Sequence, residues 1–285
     1  MTEPQSTPQV DPARERELDR LVAIFSAGPV AVLTGAGIST DSGIPDYRGA
    51  GTPPRTPMSI QQFMRDPGYR RRFWAGAAAG DRGWSRITPN AGHRALAALE
   101  RAGRVDGVIT QNVDGLHRAA GSERVVELHG SGATIRCVDC GSRFPRAEVL
   151  GWFDQGNPGF AEEHAGATIA PDGDADVTGI DAVRVPRCPV CGGILRPDVV
   201  YFGETVPTGV FASAEQLLAD AGAFLLAGTS LAVNTGVRLL HRAQRRGIPV
   251  GVINRGPTAA DGAADVRIEG GTSEALTELA ARLGA

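Results

Sequence analysis

The chain has 285 residues, 42% hydrophobic and 21% charged, a balance that supports a sizeable core and excludes a disordered, collagen-like or wholly membrane-embedded protein. The net charge of −3 creates no global field favouring nucleic acid or anionic lipid, and all 29 basic residues are arginine, so the chain contains no lysine. No run of about 18 apolar residues occurs, since the richest stretch, Ala221 to Val233, is interrupted by Gly228, Thr229 and Ser230; no membrane partner is expected.

The opening MTEPQSTPQVDP is polar, with neither a signal-peptide apolar segment nor an Arg-rich transit pattern, and a cytoplasmic location is expected. From Ala13 to Ser26, Leu18, Leu21, Val22 and Phe25 recur at helical spacing before Gly28-Pro29 stops the pattern. VAVLTGAGIST then reads as a buried parallel strand feeding a phosphate-facing turn. Apolar runs return at Val105 to Ile109, Val199 to Phe202, Ala223 to Ala227 and Val250 to Ile253. Helical patterns at Ala91 to Ala102, Phe211 to Ala219, Gly236 to Arg246 and Ser273 to Leu283 lie between or after them. Strand alternating with helix predicts an α/β fold, a doubly wound parallel sheet covered on both faces. Two stretches break the rhythm: one is Gly/Pro/Arg-rich and then aromatic, and the other holds all four cysteines and a polar insert, GATIAPDGDADVTG. They are expected to form a small domain of residues 51–89 and 131–195, beside a large domain of 13–50, 90–130 and 196–285, with a cleft between.

Cys137 and Cys140, and Cys188 and Cys191, form two Cys-x-x-Cys pairs separated by 47 residues, each followed by glycine. The spacing predicts one tetrahedral Zn2+ held by four thiolates, with no open position and therefore a structural role. Apparent affinities of about 10 to 16 kcal/mol would hold together a loop-rich segment lacking its own core. Interleaved basic and aromatic residues are sparse around the pairs, so no nucleic-acid partner is expected.

Gly35-Ala36-Gly37-Ile38-Ser39-Thr40 offers backbone N–H groups to a pyrophosphate, but Thr40 stands where a dinucleotide fingerprint has its third glycine, and no carboxylate follows about 20 residues on. Either an ordinary strand-to-helix turn or a nonstandard nucleotide site produces this pattern. Gly43-Ile-Pro-Asp46-Tyr47-Arg48-Gly49 leads into a segment suited to a cofactor lid, with Arg48 able to meet phosphate or carboxylate. Thr110-Gln111-Asn112-Val113-Asp114 sits at a strand's carboxyl end, where open parallel sheets bind ligands, although the same residues also cap helices. Gly228-Thr229-Ser230 and Asn254-Arg255-Gly256 follow two further strands. His129, between sheet and cysteine module, is either structural or the general base among the five histidines.

GAGIST, GIPDYRG, TQNVDGLH, ELHG, the two cysteine pairs, LRPDVVYFGE, GTSL and INRG occur in one order from about Val30 to Gly271. Their combination resembles the sirtuins, NAD-dependent protein deacylases, and DSGIPDYRG, the APDGD insert and INRGPT look most like class II. The resemblance implies a dinucleotide-binding domain, the large one, and a small domain made of a zinc module and a helical module. It implies NAD as co-substrate, with Gly35, Ala36, Gly37 and Ser39 along the phosphates and nearby ribose. Asp46, Tyr47 and Arg48 would form the cofactor loop, and Gln111, Asn112, Val113 and Asp114, with Ile38, the nicotinamide side. Gly228, Thr229, Ser230, Asn254, Arg255 and Gly256 would hold the adenosine half, with Thr272 as a C-terminal candidate. His129 matches the family's catalytic histidine, and Asn112 and Asp114 join it as catalytic candidates.

The implied partners are acylated lysine side chains of proteins. The acyl oxygen would attack the anomeric carbon as nicotinamide leaves, and His129 would then deprotonate a ribose hydroxyl, giving O-acyl-ADP-ribose and free lysine. Val200, Phe202, Gly203 and Val233 are the expected substrate contacts, the peptide adding as a strand between two loops. Transfer of ADP-ribose to a protein, an activity of some class II members, is the alternative reading. A noncatalytic binding module and a zinc-containing dehydrogenase are disfavoured by the intact His129 and Asn112, and by the missing third glycine and saturated zinc, respectively. Sirtuins that prefer succinyl or malonyl groups carry Tyr-x-x-Arg in the helical module. The comparable stretch here reads Phe73-Trp74-Ala75-Gly76-Ala77, with Tyr69 and Arg72 lying earlier, so a strong preference for an acidic acyl group is not expected.

Overall fold

The computed structural model describes residues 11–47, 57–84, 86–164, 167 and 177–285. Helix α1 (Pro12–Ala27) opens where Asp11 accepts from the Ala13 amide at 2.9 Å and Pro12 presets the first turn. Strand β1 (Val30–Thr34) follows, then α2 (Ile60–Arg65), α3 (Pro67–Trp84), α4 (Ala91–Arg101), β2 (Val105–Thr110), α5 (Leu116–Ala119), β3 (Val125–Glu127), β4 (Gly130–Cys137), β5 (Arg143–Pro145) and α6 (Arg146–Gly156). The chain continues through α7 (Phe160–Glu163), β6 (Leu195–Val199), α8 (Thr208–Asp220), β7 (Ala223–Ala227), α9 (Asn234–Arg246), β8 (Val250–Asn254), β9 (Val266–Glu269) and α10 (Thr272–Arg282).

Six strands form one parallel sheet in the order β3-β2-β1-β7-β8-β9. The fold is therefore the doubly wound parallel sheet, and its order reverses between β1 and β7, placing a crevice beyond their carboxyl ends. Alternation along β1 builds both covering layers. Val30 and Val32 pack with α1, α4 and α10 through Phe25, Leu96 and Leu276, whereas Ala31 and Leu33 pack with α8 and α9 through Phe211, Leu217 and Leu239.

A second, antiparallel sheet, β5-β4-β6, borders the cysteine pairs and shares a core with α2, α3 and α6. Phe63 of α2, Phe73 and Trp74 of α3, Val149 and Phe153 of α6, and Ile135 and Leu195 of the sheet form that core. The Phe63 and Phe73 rings meet edge to face at 5.6 Å, and Trp74 is fully buried.

The run Val199 to Phe202, read from sequence with the parallel strands, lies elsewhere: Leu195–Val199 pairs with β4, and Val200 to Phe202 leaves the sheet as a loop. The short edge strands β3 and β9 extend the parallel sheet beyond the strands read from sequence. No helix of the described residues is long and apolar enough to cross a membrane.

Candidate active site

The crevice at the β1/β7 reversal is a cavity of about 950 Å3. Gly35, Ala36, Gly37 and Ser39 line it after β1, Gln111, Asn112, Val113 and Asp114 after β2, Gly228, Thr229 and Ser230 after β7, and Asn254, Arg255 and Gly256 after β8. Asp46, Tyr47, Thr272, His129, Val200, Phe202 and Val233 also face it. Two expected residues do not line it. Ile38 is fully buried in the core, its carbonyl accepting from Asn90 Nδ2 at 2.7 Å, and Gly203 instead supplies a left-handed turn (φ +88°) beside the Gln61 side chain. Arg48 lies outside the described residues.

Close backbone approach explains the glycines at the reversal. The Gly37 amide donates to Gly228 O at 2.9 Å, and a Cβ on Gly228 would stand 2.4 Å from the Ile38 nitrogen, so only glycine lets the two turns meet. Beyond Gly228 the chain passes Leu231, the one non-glycine residue with positive φ (54°) among the described residues. The Leu231 amide donates to Thr229 Oγ1 at 3.2 Å, holding the turn that presents Ser230 to the cavity.

The polar end of β2 is tied across the sheet. Asn112 Nδ2 donates to Gly35 O and Ser39 Oγ, both at 3.1 Å, and Ser39 Oγ donates to Asp114 Oδ2 at 2.8 Å. Asp114 Oδ1 accepts from the Leu116 amide at 2.9 Å, so the helix-capping and the cavity-facing readings of this segment are both realised. Beneath Asn112 runs a buried polar chain: its amide donates to Thr110 Oγ1 (3.1 Å), which accepts from Thr34 Oγ1 (2.9 Å), itself 2.8 Å from His117 Nε2. The His117 ring packs edge to face on His93 at 4.8 Å. Burial lowers the pKa of His117 well below the ordinary imidazole value and that of His93 to about 4, so both are neutral near pH 7. Sequence reading gave His93 a bland role, and its place in a capping box with Asn90 at the start of α4 fits that.

His129 lies where the two sheets join. Its Nδ1 is 2.7 Å from Gln111 O, an acceptor only, so Nδ1 carries the proton and Nε2 of the neutral ring keeps its lone pair. Burial lowers the His129 pKa, opposed by the Gln111 hydrogen bond, which favours the charged form. The His129 carbonyl accepts from the Val200 amide at 2.8 Å, binding the histidine to the loop after β6.

The donor set suits a dinucleotide. Glycine turns, hydroxyls of Thr229 and Ser230, the Asn254 amide and the exposed Arg255 guanidinium match phosphates and sugar hydroxyls, and Thr272 Oγ1 is buried on the cavity wall with no hydrogen-bond partner among the described residues. Asn254 stands at the end of β8, and its Nδ2 donates to the carbonyls of Arg255 and Gly256, both at 3.0 Å.

Away from the cavity, the four cysteine sulfurs lie within 4.8 Å of one another. Cys137 Sγ is 3.5 Å from Cys191 Sγ, and Cys140 Sγ is 3.7 Å from Cys188 Sγ. Zn–S bonds of about 2.3 Å in a tetrahedron need S···S separations of about 3.8 Å, so the thiols fit one zinc ion and leave no position for water. Gly141 (φ +75°) and Gly192 (φ +73°) turn each knuckle, their amides donating to the first cysteine's carbonyl.

Sequence reasoning did not anticipate Met58, Phe73, Arg146, Pro197 and Tyr201 as cavity residues. Phe73 is part of the core shared by the antiparallel sheet and its helices, Met58 and Tyr201 pack against that core, Pro197 lies in β6, and no spacing signal marks Arg146, the first residue of a helix inside an insert.

A reversing parallel sheet that shares a crevice with a four-thiol lobe is the Sir2 arrangement, and the Sir2 family profile matches residues 35–235. The chain belongs to the Sir2 family. It is 50% identical over 270 residues to the NAD-dependent protein deacetylase 1 of Mycobacterium avium (strain 104), covering 94% of this chain and 96% of that protein. It is 47% identical over 283 residues to the NAD-dependent protein deacetylase 1 of Streptomyces coelicolor, covering 98% and 94%. Among solved structures, one described as "Sir2-p53 peptide-NAD+" superposes with a TM-score of 0.76 at 30% identity, covering 94% of this chain and 98% of that one.

Proposed function

We propose that the chain is an NAD-dependent protein lysine deacylase, releasing nicotinamide, O-acyl-ADP-ribose and the free lysine. The observation that carries this reading is the His129 ring, fixed through Nδ1 by Gln111 O, in a cavity whose other walls are glycine turns and strand-end amides. Bound NAD supplies an electrophilic sugar carbon with nicotinamide as leaving group. The Gly35 to Gly37 turn would hold its diphosphate, Thr229, Ser230, Asn254 and Arg255 its adenosine side, and Ser39, Asn112 and Asp114 the sugar on the nicotinamide side.

His129 Nε2 takes the proton of a ribose hydroxyl, the general-base task suited to a neutral imidazole. Val200 and Phe202 on one side and Val233 on the other receive the substrate main chain, so that acylated protein segments of varied sequence bind as an added strand. The four thiolates hold zinc as a structural ion, and unpaired thiols of this kind suit a reducing compartment, the cytoplasm. The expected division is a smaller unit of residues 51–89 and 131–195, and the ladder shared by β4 and β6 supports adding the rest of β6 to it.

Nicotinamide release, measured on zinc-replete protein with NAD and a panel of acyl-lysine peptides, tests the reading. Release is expected only with both substrates present, together with O-acyl-ADP-ribose by mass. No acyl-dependent release across the panel overturns it.

A further inference from the structure

We propose that His117, which does not line the cavity, is a positioning residue for the reaction: through Thr34 it fixes the segment Thr110 to Asn112, and with it the general base and the polar groups facing the sugar; this rests on the deacylase reading above. Thr34, at the end of β1, is the hub. It is fully buried and holds the neighbouring strand end twice, its carbonyl accepting from the Gln111 amide at 3.0 Å and its Oγ1 donating to Thr110 Oγ1 at 2.9 Å. Gln111 O in turn holds His129 Nδ1, and Thr110 Oγ1 accepts from the Asn112 amide at 3.1 Å. With the Thr34 proton given to Thr110, the 2.8 Å contact with His117 is a bond donated by Nε2–H, and it sets the direction of the Thr34 hydroxyl. His117 is 2% exposed, and its ring is held edge to face against His93.

The bonds close into a ring. Asn112 Nδ2 spends both protons, on Gly35 O and Ser39 Oγ, so Oδ1 is the atom of that amide left to a sugar hydroxyl in the cavity. Ser39 Oγ passes its own proton to Asp114, and the other Asp114 oxygen accepts from the amide of Leu116, the residue before His117. A closed polar ring selects one arrangement of its members, which an apolar core does not. Stability alone does not require it. Replacing both partners of a buried hydrogen bond by apolar groups of similar shape is nearly neutral, whereas removing one strands the other. An apolar pair at Thr34 and His117 would hold the fold but would free Thr110 Oγ1 to turn, and the Asn112 amide with it.

The test compares Thr34→Val, His117→Phe and their double variant with Thr34→Ser. It reads melting temperature, and kcat and the KM for NAD in nicotinamide release with an acetyl-lysine peptide. Each single apolar variant is expected to lower kcat on the order of tenfold while the KM for NAD stays within about threefold, because misplaced groups cost most in the transition state. Thr34→Ser keeps the hydroxyl and should keep kcat within about threefold of the unaltered protein. The double variant should regain melting temperature lost by the singles while kcat stays at the lower single value. A kcat that recovers together with melting temperature overturns the proposal, since a purely structural pair behaves that way. Single apolar variants with kcat within about threefold of the unaltered protein overturn it too. If His117→Phe or the double variant fails to fold, Thr34→Val against Thr34→Ser decides: the proposal stands on a hydroxyl-dependent kcat and falls without one. A Thr34→Val protein that does not fold overturns it. No acyl-dependent release from the unaltered protein overturns the deacylase reading itself and is a separate result.

Discussion

Two atoms of His129 have different tasks: the ring is held by Gln111 O through Nδ1, and the main-chain carbonyl by the Val200 amide. Because burial lowers its pKa, the neutral base persists below the ordinary imidazole value of about 6.5. The acid limb of kcat/KM is therefore expected below pH 6.5, activity falling as pH drops through the lowered value; a limb above 6.5 would contradict the assigned environment. His129→Ala is expected to slow deacylation by about 100-fold or more, the lower range for a general base. Nicotinamide exchange, which precedes the base step, should be lost less. Asn112→Ala removes both ties from its amide to Gly35 O and Ser39 Oγ, and is expected to lower kcat rather than only raise the KM for NAD.

The loop after β6 illustrates how an element shapes a substrate surface. Arg196, 3% exposed, donates to both Glu204 oxygens at 2.7 and 2.5 Å and to Val199 O at 2.6 Å, while the Tyr201 amide donates to Glu204 Oε2 at 2.9 Å. Partial burial pushes the Glu204 carboxyl up, but the Arg196 and Tyr201 hydrogen bonds outweigh it and hold the carboxyl below its ordinary range. Charged hydrogen bonds contribute about 1.5 to 3 kcal/mol, so Glu204→Gln should loosen Val200 to Gly203 and raise the peptide KM on the order of tenfold, with a smaller change for NAD. Equal changes in both constants would count against a clamp on the peptide loop. In sequence this segment looked like another buried parallel strand, since an apolar run has no direction and does not name its partner. The strand ends carrying Gly35, Gln111, Thr229 and Asn254 were legible, because long apolar runs fix the parallel strands and ligands gather at their carboxyl ends. Arg146 and Met58 were not, since the packing of α6 and α2 on the antiparallel sheet decides what they face. Strands β3 and β9 were too short for periodicity to register.

At the scale of the whole molecule, two buried groups link stability to solution conditions. His93 has a folded pKa of about 4 against about 6.5 unfolded, so between these values the unfolded chain binds more protons. Its contribution is full above pH 6.5 and falls as pH drops toward 4, by on the order of 3 kcal/mol, with His117 acting in the same direction. Thermal melts should show that decline, and His93→Asn should flatten it. Zinc removal acts on the other lobe, where Cys137 and Cys188 are part of the core around Trp74. Chelation is expected to shift Trp74 emission to the red and abolish activity while the six-stranded sheet keeps much of its far-UV signal; an unchanged spectrum would contradict the assigned structural role. The tether of residue 129 to both lobes has a further consequence. If nucleotide exchange required the lobes to rock apart, these tethers would put the pivot at the segment that carries the imidazole, so the base would move least and the distal walls most. Turnover can then be gated at the rim, as in a hinged jaw, without re-aiming the proton acceptor on each cycle.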